Sequence, residues 1–224
     1  MFGALLSRRK RDDLVGVEFH ADGLALVHLQ NYRSAVPTLQ NCEFTACDAE
    51  SDHAATLSAR ISDLRLQKTP CRFVLSHNNY QFLLVEAPKV PADELNEALR
   101  WRIKDLLNFP AENAVIDSFL LPQDSACKPM AYVAVAEHPV IQAAVDAVEA
   151  ANLDLQSIEI PELSLRNLAI RVIRAADTAR GLAIVQLVQG GGALQVICNK
   201  QLYLSRRFEL NFSGGLLDDL PEES

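Results

Sequence analysis

The sequence lacks most of what would mark a membrane-spanning, secreted or nucleic-acid-binding protein. No apolar run reaches the ~18 residues needed to cross a bilayer. Residues 1–6 are too short for a signal-peptide core, and their basic residues follow them instead of preceding them. A cytoplasmic location is therefore expected. Lys and Arg total 21 against 29 Asp and Glu, a formal charge of −8. That leaves no broad basic face of the kind phosphate-backbone binding requires, so no nucleic-acid partner is expected. The five cysteines, Cys42, Cys47, Cys71, Cys127 and Cys198, are odd in number and spaced for neither a zinc site nor a disulfide framework. They read as reduced core or surface thiols. His20, His28, His53, His77 and His138 have no i, i+4 partner or nearby cysteine pair, so no metal is expected.

What is present is ample apolar material: 49% of 224 residues, enough to bury roughly 70% of the unfolded surface in one large domain or two small lobes. The most informative stretch is residues 88–121. Leu95, Leu99, Ile103 and Leu106 recur near a 3.6-residue period, with Ala98 and Leu107 beside them, and predict an amphipathic helix. Pro91, Asp93 and Glu94 suit its first turn, where a missing N–H costs nothing and carboxylates meet the positive end of the helix dipole. Phe109-Pro110 ends it, because proline cannot donate to a continuing helix and restricts the residue before it. Residues 114–121 then read as a strand. Trp101, the single tryptophan, stands one step off the apolar stripe. It is read first as a core-edge residue, with a partner anchor as the alternative.

Elsewhere, residues 14–28 alternate apolar and polar on either side of Ala21-Asp22-Gly23, a hairpin signal. A third strand is expected over 36–46, a helix over 52–67 and a strand over 71–76. Residues 80–86 are expected to pair with that strand across the polar turn His77-Asn78-Asn79. Further strands are expected at 130–137, 153–160, 182–188, 193–198 and 201–208, the last two joined at Asn199-Lys200, and helices at 139–151 and 161–176. Before all of these, Phe2, Leu5 and Leu6 precede Arg8, Arg9, Lys10 and Arg11. Residues 1–13 read as a flexible basic terminus; the alternative is a segment that leans on an anionic membrane.

The order of pieces in residues 88–121, with Asn108-Phe109-Pro110-Ala111-Glu112 followed by Val115-Ile116-Asp117, closely resembles the PilM group, the actin-like cytoplasmic proteins of type IV pilus machines. The resemblance extends less densely over residues 14–215. It implies an α/β, actin-like ATPase (ribonuclease H-like) fold with the inserted subdomain of the PilM/FtsA branch. Residues 14–176 would form the first lobe, with the insertion at about 72–135, and residues 177–224 an incomplete start of the second.

Actin-like ATPases grip phosphates with two turns, each led by an aspartate, because backbone N–H groups must approach closely and a carboxylate must face magnesium-bound water. At the first, this chain has Val15-Gly16-Val17-Glu18-Phe19-His20, with His20 where the close-approach glycine belongs and Ala25 where a lysine would be. At the second it has Val185-Gln186-Leu187-Val188, without acid or glycine. The run Gln189-Gly190-Gly191-Gly192 reads as a loose hairpin loop and is no Walker motif. Glu18, His20, Gln186 and Val188 thus mark degenerate phosphate turns. No cofactor is expected, ATP and magnesium being held only if those turns still function.

Ser76-His77 and Glu137-His138 are sequence neighbours without the convergent geometry of a catalytic pair. The resemblance implies a non-enzymatic scaffold. Its partner would be the cytoplasmic N-terminal peptide of a PilN-like or MshJ-like single-span inner-membrane protein, with a pilus motor ATPase as a further candidate. The peptide would be held near the insertion, with Trp101, Phe109 and Pro110 as candidate contacts.

Overall fold

A computed structural model describes residues 12–47, 52–122, 128–172, 181–188 and 191–209, with the backbone alone at Val172 and Val188. The chain divides into two compact units, Met1–Leu120 with Lys128–Pro161, and Leu121–Cys127 with Glu162–Ser224.

In the first unit, β1 (Leu14–His20), β2 (Gly23–Gln30) and β3 (Thr38–Ala46) form an antiparallel meander. β4 (Pro70–Val74) and β8 (Asp154–Glu159) extend it in parallel with β1, giving the order β3-β2-β1-β4-β8. Parallel neighbours need long crossovers, and α1 (His53–Asp63) and α3 (His138–Ala150) lie in the two connections. They pack against each other and on the sheet. Strand alternation puts Val15 and Val17 in register with Leu26, Cys71 and Phe73 on one buried face. Leu57 and Ile61 of α1 and Ala144, Ala147 and Val148 of α3 are buried as well. α1 starts where the Asp52 side chain accepts from the Ala54 N–H at 2.8 Å, satisfying one orphan donor of the first turn. Burial pushes the Cys71 thiol up to about 12, so it is an inert part of the core.

Between β4 and α3 the chain builds a second sheet from β5 (Gln81–Glu86), β6 (Ala114–Leu120) and β7 (Met130–Glu137), in the antiparallel order β5-β7-β6. The expected pairing of residues 80–86 with the strand before them does not occur. Both edges of β4 are already taken by β1 and β8, and a 3₁₀ turn at His77–Asn79 sends the chain away to this sheet.

The amphipathic helix of that segment is α2 (Leu95–Ile103). Leu99 and Ile103 are fully buried against Val85, Ala114, Ala131, Val133 and Val135, with Leu95, Leu107 and Phe109 packed at the margin. Leu106, expected on the stripe, is 55% exposed. After Ile103 the helix tightens to 3₁₀ at Lys104–Leu106; the changed turn angle swings Leu106 outward and brings Leu107 to the core.

The second unit carries α4 (Pro161–Val172) from Glu162 onward, with β9 (Leu182–Val188), β10 (Gly191–Cys198) and β11 (Gln201–Glu209) in the antiparallel order β11-β10-β9. Asn199 and Lys200 both have positive φ, 49° and 65°, the requirement of a tight two-residue hairpin. Glu162, 1% exposed, pairs through Oε1 with Arg207 Nη2 at 2.9 Å.

Candidate functional site

The first degenerate turn is a two-residue hairpin at Ala21 and Asp22, with His20 paired to Gly23. Gly23 was expected within the turn, yet it is the first residue of β2. Its role is close packing, since a Cβ there would run into the Thr45 carbonyl oxygen and the Phe44 ring. Glu18 and His20, two apart on β1, project from the same face, opposite the Val15–Val17 core. Glu18 Oε2 stands 3.6 Å from His20 Nε2. Burial raises the Glu18 carboxyl above its ordinary value, and the charge of His20 partly offsets that. The His20 carbonyl in turn lies 2.9 Å from His53 Nε2. Ala25 faces Glu18 across the ladder, so the lysine position of the resemblance presents only a methyl group.

At the second turn, Val188 pairs with Gly191, leaving only residues 189 and 190 between the strands. Residues 189 and 190, expected as part of a loose hairpin loop, and the Val188 side chain lie outside the described residues. Gly191 and Gly192 belong to β10. A Cβ would collide with the Phe208 carbonyl oxygen at the first and the Gln186 carbonyl oxygen at the second. Gln186 faces Ala193 across the ladder, and its buried Oε1 has no hydrogen-bond partner. Gln195, on the same face and 1% exposed, has neither amide atom bonded.

The insertion offers the other candidate surface. Trp101 is 69% exposed on the outer side of α2, so the core-edge expectation fails: Leu99 and Ile103 fill the buried side of the helix and leave the residue between them outside. Lys104 Nζ lies 5.9 Å from the Trp101 ring centroid. Phe109 is half-buried against the insertion's core. Pro110 is exposed and begins the 3₁₀ turn Ala111–Asn113. Trp101 faces outward while Phe109 packs inward. The bend between them is held by Arg100, which donates from Nη1 to the Ala111 carbonyl at 2.8 Å and the Ala114 carbonyl at 2.6 Å.

Sequence reasoning missed the face of this second sheet that α2 does not cover. Phe82 stacks on Tyr132 with centroids 4.5 Å apart, and Phe119 flanks Tyr132 at 5.7 Å. Leu84 and Val115, on the same face by register, are 40% and 37% exposed. In β6 the available signal is Val115 and Phe119, four residues apart on one face with Asp117 between them. In β5 it is hidden because Phe82, Leu83, Leu84 and Val85 are apolar on both faces. Tyr132 is itself buried at 2% exposure, so the accessible part of this face is Leu84, Val115 and the half-buried Phe82 and Phe119, which can take apolar side chains of a peptide.

In sequence the chain matches no family model and no curated protein. Solved structures do match. The chain is similar to one described as the PilM–PilN type IV pilus biogenesis complex, with a TM-score of 0.71 and 20% identity over 90% of this chain and 62% of that one. It is similar to the cytoplasmic domain of EpsL, an inner membrane component of the type II secretion system of Vibrio cholerae, with a TM-score of 0.60 and 12% identity over 88% and 71%. It is also similar to a Bacteroides thetaiotaomicron protein with actin-like ATPase fold and unknown function, with a TM-score of 0.53 and 9% identity over 93% and 74%. The chain thus spans 62% of the length of the first of these. The meander, the two parallel additions, the crossover helices and these likenesses lead to one conclusion: the chain has the actin-like ATPase fold, in the form seen in proteins of type IV pilus and type II secretion machines.

Proposed function

We propose that this chain is a non-enzymatic cytoplasmic scaffold of a bacterial type IV pilus assembly platform, peripheral to the inner membrane and of the MshI kind that serves the mannose-sensitive haemagglutinin (MSHA) pilus. It receives the cytoplasmic N-terminal peptide of a PilN-like or MshJ-like single-span protein, and a pilus motor ATPase is a further partner. The observation that carries the reading is a fold like that of the PilM–PilN complex combined with a first turn in which His20 and Glu18 stand 3.6 Å apart where a phosphate grip would need glycine. Gln186 at the second turn, in place of an acid, supports the same loss of ATPase chemistry. Leu84 and Val115, with the half-buried Phe82 and Phe119 around a buried Tyr132, supply an apolar surface on the insertion.

A second reading is favoured by the likeness to the EpsL cytoplasmic domain: a docking domain of a type II secretion-like system. That domain would dock a secretion ATPase, and a transmembrane segment in a longer parent chain would favour this reading; no helix among the described residues is long and apolar enough to cross a membrane. The resemblance also keeps an active actin-like ATPase in view, with Glu18 in the aspartate's role.

The deciding experiment is calorimetric titration with a synthetic peptide from the cytoplasmic N-terminus of the neighbouring single-span pilus protein, with and without magnesium-ATP. Micromolar binding indifferent to nucleotide, weakened by Phe119→Ala, is the expected result. An ATP heat without peptide binding would overturn the scaffold reading and make Glu18 the first residue to mutate.

A further inference from the structure

Among the described residues, the strands at sheet edges are β3, β8, β5, β6, β9 and β11. An edge strand offers unpaired N–H and C=O groups to any strand that approaches, and charged side chains are a common protection against this. Every edge but one carries them: Glu43 in β3, Asp154 and Glu159 in β8, Glu86 in β5, Asp117 in β6, Arg206 and Arg207 in β11. The exception is β9. Its sequence, Leu-Ala-Ile-Val-Gln-Leu-Val, has no charge, no proline and no glycine.

The outward side of β9 is apolar as well. Val185 and Leu187 are 58% and 67% exposed, and Ala183 on the same face is exposed too. Register continues this face into β10, where Leu194 lies opposite Val185 and Val196 opposite Ala183, both half-buried. The leading strand of the first meander differs on both counts. β1 has β2 on one side and β4 on the other, and its Val15 and Val17 are 0% and 1% exposed. Among the described strands, β9 has β10 alone.

A strand without charge can meet its own copy. In an antiparallel pair related by a two-fold axis at Val185, Val185 faces its twin, Ala183 faces Leu187 and Ile184 faces Gln186, so no like charges oppose each other. The same operation at the centre of β6 would set Asp117 against Asp117. We propose that β9 pairs antiparallel with β9 of a second copy, joining two three-stranded sheets into one of order β11-β10-β9-β9-β10-β11. The contact is isologous, the same patch on both partners, so it closes at a dimer and occupies the open edge of each. It goes beyond the scaffold reading and does not rest on it.

Sedimentation of the full chain over a range of concentrations tests this, with Val185→Lys and Val185→Glu measured beside it. Both substitutions fall at an exposed position, and circular dichroism checks that each variant is folded. The parent is expected to dimerise. Either variant alone should dimerise at least about tenfold more weakly, because like charges then meet across the axis. An equimolar mixture of the two variants should recover the dimer, because lysine then faces glutamate. Loss of apolar surface or partial unfolding would not give that recovery. Hydrogen exchange supplies a second readout: the β9 amides of the parent should exchange more slowly at concentrations where the dimer forms, with those of the β3 edge unchanged. A parent that stays monomeric at all concentrations would overturn the proposal. So would a dimer that both variants form as well as the parent does, or one that leaves β9 exchange unaltered, since either places the contact elsewhere. A mixture that stays monomeric would overturn the two-fold pairing at Val185.

Discussion

Arg100 reaches back from α2 to the carbonyl oxygen of Ala114 at 2.6 Å, and the same Nη1 donates to Ala111 at 2.8 Å. One guanidinium thereby fastens the helix to the 3₁₀ turn and to the first residue of β6, on either side of the Phe109-Pro110 stop. Hydrogen bonds from charged donors contribute about 1.5–3 kcal/mol. Arg100→Met is expected to lower stability by that order in urea denaturation, and Arg100→Lys to recover part of the loss, because an ammonium supplies one point of attachment rather than a planar fork. Equal stability of all three proteins would show that the Phe-Pro bend holds itself.

Glu18 gives a prediction with a definite pH sign. Its carboxyl lies above the ordinary value of 4.5, mainly through burial. A group that binds its proton more tightly when folded contributes fully below its unfolded value, and that contribution is lost as pH rises through the raised folded value. Glu18→Gln removes the loss. The variant should be more stable than the parent at pH 7, with the difference vanishing below about pH 4.5. Denaturant midpoints from pH 4 to 8 check this; a less stable variant at pH 7 would mean the carboxylate makes a favourable contact that outweighs its burial.

The two glycines beside the first turn should respond in opposite ways. A Cβ at Gly23 meets the Thr45 carbonyl and the Phe44 ring, whereas one at Gly16 first meets Val27 Cβ at 3.9 Å, an ordinary contact. Gly23→Ala should cost about 1–3 kcal/mol through overpacking. Gly16→Ala should be neutral or stabilising by up to about 1 kcal/mol, because alanine loses less backbone freedom in a strand. Thermal melting of the two variants tests the contrast. A tolerated Gly23→Ala would show that β3 can move away from β2 at this point.

Much of the fold was legible because many of its signals are local. Val15 and Val17 alternate with polar residues in β1, the ends of α3 lie near their expected places, and the two-residue turn at Asn199-Lys200 has the backbone its position demands. The failures are non-local. Nothing in residues 80–86 reveals that β1 and β8 occupy both edges of β4, and the nearest strand in sequence looks like the partner. Leu106 and Leu107 are equally apolar, and only the 3₁₀ tightening decides which one is buried. Trp101 fell between two readings because a residue next to an apolar stripe turns outward once Leu99 and Ile103 fill the core. The aromatic face of Phe82, Phe119 and Tyr132 needed three strands in register before it existed as a surface.

In the second unit, Gln195 poses a different question, because it is 1% exposed and neither amide atom is bonded, while Gln186 Oε1 on the same face is also buried without a partner. The ladder pairs Gln195 with Ile184 and Ser205, and Gln186 with Ala193, so the two amides are diagonal neighbours. A buried polar group without a partner costs about 1–3 kcal/mol, and replacing it by an apolar side chain of similar shape removes that cost. Gln195→Met keeps the length of the side chain and drops both polar atoms. It is expected to raise stability by about 1 kcal/mol, measured by urea denaturation, whereas Gln195→Ala should lower it by leaving a void between β9 and β11. If Gln195→Met instead destabilises by as much as Gln195→Ala, the amide must be bonded in solution, and ordered water between Gln186 and Gln195 becomes the feature to seek in a crystal.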